Sequence, residues 1–229
     1  MAEAPPKRRA CHGSCHCGLT QYIIFLLLPH PFSSSHPPQR TQQQIYRCNC
    51  TTCFKMNMFH VHPAHPRDDF MLLSPLDPDR ELSIYQCCEE KRKFYFCPKC
   101  GVRCFTFTGT GGIDVVDLME LGEDYDGDKE EGKREVWRAK WDGGKESRPY
   151  VSVNATTIDV TEDFDLRVLT EEKRVQYFDG RSEAGEKEVR WDRPHYGGSY
   201  WLVGEGGGLL MRMRRSSEPR ISIDIWNWN

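Results

Sequence analysis

The residues of this chain with the most chemistry in them are Cys48, Cys50 and Cys53, three thiols in a C-x-C-x-x-C spacing. Two thiol pairs flank them at a distance, Cys15 and Cys17 upstream and Cys97 and Cys100 downstream. Zinc prefers four ligands in a tetrahedron, and a structural site is closed by all four. The outer pairs supply four thiolates, which make one complete structural site. The central trio supplies three and leaves a fourth position open, the way a catalytic zinc is held. Zinc on three thiolates carries a net charge of about −1, so it is a weaker Lewis acid than zinc on three imidazoles. Such a site is suited to holding an incoming thiol as its thiolate, because coordination removes the thiol proton. Chemistry at a substrate's sulfur fits the trio better than hydrolysis does. A fourth donor would instead close the trio into a structural site, and Cys11, His12, Cys87, Cys88, Cys104 and His60 are available for that.

The elements around these thiols must present them to a common point. Cys97-Pro98-Lys99-Cys100-Gly101 is built as a turn: the two-residue spacer lets both sulfurs face one ion, Pro98 pre-sets the backbone, and Gly101 can take a positive φ. Aromatic residues Phe94 to Phe96 run into it and Cys104 to Phe107 leave it, so the segment reads as a zinc-ribbon hairpin. Closing the roughly 80-residue loop back to Cys17 costs about 4 kcal/mol of chain entropy. A structural zinc contributes on the order of 10 kcal/mol, so the ion wins. Cys-Pro-x-Cys is also a redox motif, but that use needs a helix starting at the second thiol, and the residues that follow read as a strand.

Upstream, Leu19 to Leu28 is an apolar run that reads as a buried strand ended by Pro29, and His30 to Gln44 reads as a loop. Ile45 to Arg47 is a short strand leading into the trio. Phe59 to His62, Asp69 to Leu73 and Leu82 to Gln86 are further strand candidates, with Leu76 to Asp79 a turn. Tyr150 to Asn154 and Val175 to Phe178 return to the strand pattern, with one or two helical turns expected between Phe164 and Leu169. The expected fold class is mainly β, made of small antiparallel sheets. The domain plan is a disordered leader over 1–10, a zinc-binding domain over 11–180, and a C-terminal extension over 181–229. Residues 109–148, rich in glycine and charge, read as a solvated, partly disordered insertion.

Composition narrows the classes. A hydrophobic fraction of 38% over 229 residues leaves part of the chain outside a core, and a net charge of −3 argues against nucleic acid as the main partner. The longest apolar run, Tyr22 to Leu28, is too short to span a bilayer. Eleven cysteines, an odd number in tight spacing behind a start that does not read as a signal peptide, favour metal ligands in a reducing cytoplasm or nucleus over disulfides. His60, His62 and His65 form an H-x-H-x-x-H cluster, but Pro63 and Pro66 interrupt the backbone there, so it reads as ordinary histidines rather than a third metal site. Cys11, Cys87, Cys88 and Cys104 read as buried or half-buried thiols. Arg47 and Lys55, beside the trio, serve either as solvated charge or as partners for a substrate carboxylate. The basic run Met211 to Arg215 reads as a solvated tail, and Trp201, Trp226 and Trp228 have no visible scaffold.

Three ordered motifs carry a family resemblance: Gly13-Ser14-Cys15-His16-Cys17-Gly18, then Cys48-Asn49-Cys50-x-x-Cys53, then Phe96-Cys97-Pro98-x-Cys100-Gly101. They resemble the glutathione-dependent formaldehyde-activating enzymes and their relatives, including centromere protein V. Val102 to Phe105, Ser152 to Ala155 and Arg193-Pro194-His195 are similar to the fungal members. The resemblance implies a β-tent fold with two zinc ions. It places Cys15, Cys17, Cys97 and Cys100 on the structural ion and Cys48, Cys50 and Cys53 on the catalytic one. It also implies a carbon–sulfur lyase that joins glutathione, a small-molecule thiol, to formaldehyde or another small aldehyde as S-(hydroxymethyl)glutathione. The long 30–44 loop, the Cys87-Cys88 pair and the C-terminal tail depart from the pattern without removing a ligand. A zinc-stabilised binding module without catalysis is the alternative that the centromere relative brings with it.

Overall fold

The computed structural model describes residues 5–31, 41–87, 92–118, 133–144, 148–172 and 174–179, and the backbone of three further strands at 188–190, 200–203 and 209–212. The architecture is mainly β, as the sequence predicts. One sheet contains β1 (Lys7–Ser14), β2 (Gln21–Leu28), β5 (Phe70–Ser74), β9 (Thr110–Asp117) and β10 (Lys133–Lys140), in the order β1-β2-β5-β10-β9. The second contains β3 (Gln44–Cys48), β4 (Phe59–His62), β6 (Ser83–Cys87), β7 (Arg92–Phe96), β8 (Arg103–Thr108), β11 (Tyr150–Asn154), β12 (Gln176–Asp179) and β13 (Glu188–Arg190). Its order is β13-β12-β3-β4-β11-β8-β7-β6, and β12 runs parallel to β3 where the other pairs are antiparallel. β14 (Tyr200–Val203) and β15 (Leu209–Arg212) form a separate pair. Among the described residues no helix is long and apolar enough to cross a membrane.

The apolar run in β2 is explained by what covers the strand on each side. Successive side chains point to opposite faces. Tyr22, Ile24, Leu26 and Leu28 enter the main core with Phe70, Leu72, Phe105, Trp137 and Val153. Ile23 and Phe25 enter a second cluster on the other face with Met71, Leu73, Val116 and Val136. In the main core Phe105 stacks on Tyr95 at 4.6 Å and lies 5.3 Å from Phe70, while Phe107 meets Trp137 edge-on at 5.0 Å. These contacts join β7 and β8 of one sheet to β5 and β10 of the other, so the core fixes the relative placement of the two sheets.

Among the described residues three short α-helices interrupt the strands: α1 (Thr51–Lys55), α2 (Pro78–Glu81) and α3 (Leu166–Glu171). Asp77 caps α2, where composition reads only a turn, and Asp165 caps α3, whose Arg167 N–H donates to Asp165 Oδ1 at 2.7 Å. Two expectations are corrected. The leader read as disordered enters β1 from Lys7, which pairs with Leu28, and Arg8 bonds Asp69 at 3.0 Å. The stretch read as a solvated insertion contains β9 and β10, which pair from Lys133–Asp117 to Lys140–Thr110 and continue the first sheet through Trp137 and Leu72. β10 is covered on both faces, with Val136 in the second cluster and Trp137 and Ala139 in the main core, while Ile113 and Val115 of β9 are exposed. Residues 119–132 and 145–147 of that stretch lie outside the described residues, as do Cys88, Arg193 to His195, Trp226, Trp228 and most of the 181–229 extension.

Candidate metal centres

Cys15 and Cys17 sit where β1 hands over to β2. Gly18 has φ +76° and donates its N–H to the Cys15 carbonyl at 3.0 Å, and the Thr20 N–H reaches the Cys15 sulfur at 3.2 Å. Cys97 and Cys100 occupy the turn between β7 and β8. That turn is closed by Cys97 N–H to Val102 O at 2.9 Å and Gly101 N–H to Cys97 O at 2.8 Å, with Gly101 at φ +72°. The positive φ predicted at Gly101 is present. The four sulfurs lie within 4.8 Å of one another, with 3.6 Å between Cys15 and Cys17 and 3.4 Å between Cys17 and Cys97. Ligands on a tetrahedral ion with bonds of about 2.3 Å stand roughly 3.8 Å apart, so these four fit one ion. Burial opposes ionisation of Cys15, but hydrogen bonds from Thr20, Cys17 and Cys97 outweigh it and bring the thiol down to about 6. Burial dominates at Cys97 and pushes it up to about 12.

The second group is assembled by β3 and α1. Cys48 ends β3, Cys50 is the residue before α1, and Cys53 lies on its buried side. The backbone folds back because the sulfurs accept its free donors: Cys50 N–H points to Cys48 Sγ at 3.4 Å and Cys53 N–H to Cys50 Sγ at 3.5 Å. These three sulfurs also lie within 4.8 Å of one another. Hydrogen bonds from Cys48 and Cys53 hold Cys50 far below an ordinary thiol, at about 2, while Cys48 is raised to about 11 and Cys53 higher still. Of the three adjoining thiols, Cys50 is the one its neighbours' hydrogen bonds push toward the ionised form. A metal ion would draw off the other two protons, because its ligands must be thiolates.

Among the described residues no fourth donor joins the trio within that distance. Cys11 and Cys104 are buried in the main core, where burial raises both thiols, Cys11 to about 12. Cys87 packs against the apolar surround of the trio with Met56, Met58 and Phe94 without entering the ligand set. His60, His62 and His65 have different surroundings. His62 donates Nδ1–H to the Val151 carbonyl at 2.6 Å and stacks on Tyr150, and His65 is exposed.

His60 is the residue whose role sequence alone does not settle. It is 1% exposed, its Nε2 lies 3.2 Å from Cys53 Sγ, its Nδ1 lies 3.0 Å from Ser152 Oγ, and its ring stacks on Tyr46 at 4.6 Å. Burial, reinforced by Arg92, lowers its pKa to about 3, so the ring is neutral. Arg47 lies over the Phe59 ring at 4.3 Å, and Lys55 is exposed at the end of α1.

Fold and site together define a mainly β protein with two cysteine groups able to hold metal ions. No protein-family profile and no curated protein matches the chain. A Rhodobacter sphaeroides protein solved as a structural genomics target is similar at 17% identity and a TM-score of 0.36, over 69% of this chain and 94% of that one. A likeness of that size assigns neither fold nor function.

Proposed function

We propose that the chain is a two-zinc carbon–sulfur lyase that makes or breaks the adduct of a thiol with a small aldehyde. The observation that carries the reading is the trio: three sulfurs gathered within 4.8 Å, with no fourth donor among the described residues that close to all three. The resemblance of the three cysteine motifs supplies the substrates, glutathione and formaldehyde. Cys48, Cys50 and Cys53 would hold the catalytic ion, and Cys15, Cys17, Cys97 and Cys100 the structural one. The catalytic ion would supply a position at which an incoming thiol loses its proton at neutral pH. The chain's own residues do the rest. β3 and α1 hold the three sulfurs together. Met56, Met58 and Phe94 exclude water behind the trio. Arg47 and Lys55, on either side of the motif, offer cationic partners to a thiol that carries carboxylates, as glutathione does.

The test is Cys50→Ser in the full chain, assayed for thiol–formaldehyde adduct formation alongside metal content. Loss of one zinc and of activity, with an unchanged circular dichroism spectrum, is expected. Activity that persists after that zinc is lost would overturn the lyase reading and leave a zinc-stabilised binding module.

A further inference from the structure

A hydrogen-bonded path leads away from the trio into the second sheet. Cys53 Sγ lies 3.2 Å from His60 Nε2, and His60 Nδ1 lies 3.0 Å from Ser152 Oγ. The path crosses from α1 through β4 to β11. Beside it the Tyr46 ring stacks on His60 at 4.6 Å, and the Tyr46 and Tyr150 hydroxyls are 2.6 Å apart. A ligand sulfur carries no proton, so the hydrogen between it and His60 must come from Nε2. Nδ1 is then unprotonated, and Ser152 must donate its O–H to it. One choice at the sulfur fixes the direction of both bonds.

We propose that His60 is a positioning residue for the trio: its Nε2–H donates to the Cys53 sulfur, and Ser152 locks the ring in that tautomer. The inference rests on the trio holding a metal ion. Three thiolates leave excess negative charge on a buried site, and a hydrogen bond to one sulfur disperses it. Cys53 becomes the least electron-rich ligand, and the metal a better acceptor for a further thiol. Ser152 lies 92 residues from His60 in sequence, and the β4–β11 pairing, Asn154 against His60 and Val153 against Val61, brings the two together.

The test uses the full chain loaded with cobalt(II), whose sulfur-to-cobalt charge-transfer band reports on ligand electron density. His60→Phe keeps a ring against Tyr46 and removes the donor, and the band should move to longer wavelength with a loss of about tenfold in cobalt affinity at one of two sites. His60→Gln, which returns an N–H near the same place, should restore both. In the zinc-loaded wild type, nitrogen NMR should show Nε2 protonated and Nδ1 bare. Ser152→Ala should mix the two tautomers, which keeps the test open should His60→Phe fail to fold. An unmoved band, a protonated Nδ1, or a single tautomer surviving in Ser152→Ala overturns the proposal. Wild-type protein that takes up one cobalt instead of two overturns the metal reading beneath it, a result distinct from two cobalts with no shift.

Discussion

Replacing Cys97 with serine removes one of four sulfurs from a group that joins the β1–β2 connection to the β7–β8 turn, with Cys17 and Cys97 standing 80 residues apart. Cys97 is fully buried, and its sulfur lies 3.4 Å from Cys17. A serine hydroxyl stays protonated at neutral pH and does not replace a thiolate. If a structural zinc contributes about 10 kcal/mol, an even share of four bonds is about 2–3 kcal/mol. For a chain of this size that lowers Tm by about 5–10 °C as long as the ion stays. If the ion leaves, the loss of about 10 kcal/mol is comparable to the whole stability of a domain, and the chain unfolds. The assay is thermal unfolding followed by circular dichroism in zinc-containing buffer, with and without a strong chelator. Wild type should melt well above Cys97→Ser in zinc, and the two should converge in chelator. Cys104→Ala provides the packing control, since Cys104 is equally buried but stands outside both sulfur groups. It should cost about 1 kcal/mol and keep its response to zinc. A Cys97→Ser protein melting within about 2 °C of wild type in zinc would refute the structural site.

Gly13→Ala tests the core beside the first site. A Cβ there would stand 2.3 Å from Tyr22 Cζ, and moving that ring breaks its 2.7 Å hydrogen bond to Thr157. Overpacking plus an orphaned hydroxyl predicts a loss of about 2–5 kcal/mol in urea unfolding, and a change under about 0.5 kcal/mol would contradict the packing. His30 predicts a pH effect. Burial, with Arg174 nearby, lowers it from 6.5 to about 4. The folded chain therefore binds fewer protons than the unfolded chain between those values. Its contribution is complete above pH 6.5 and is lost as pH falls toward 4, amounting to about 3 kcal/mol. His30→Gln should flatten the stability curve by one proton in that window, and an unchanged slope would count against it.

Much of the site was legible because thiol spacing is a local property. Cys97 to Gly101 encodes its own turn, and the positive φ at Gly101 follows from residue type alone. Strands with clear alternation or aromatic density, such as Phe94 to Phe96 and Tyr150 to Asn154, were readable for the same reason. β9 and β10 were not, because their cross-strand partners rather than their composition make them strands: Gly111 and Gly112 leave room for the Trp137 and Lys140 side chains that reach diagonally from β10. α1 is five residues long and is held by N–H to sulfur bonds that no propensity scale registers. From the sequence His60 reads as one of three ordinary histidines and as one of six candidate fourth donors to the trio. Its burial and its two partners exist only once β4 lies between β3 and β11.

The central claim is that this chain carries two metal sites of different kinds, one closed and one open. Elemental analysis of wild type and Cys50→Ser, purified under reducing conditions and equilibrated with zinc, tests it most directly. The account predicts about two zinc ions per chain in wild type and about one in the variant, with the fold retained in both. One ion in wild type, unchanged by Cys50→Ser and not raised by added zinc, would contradict it.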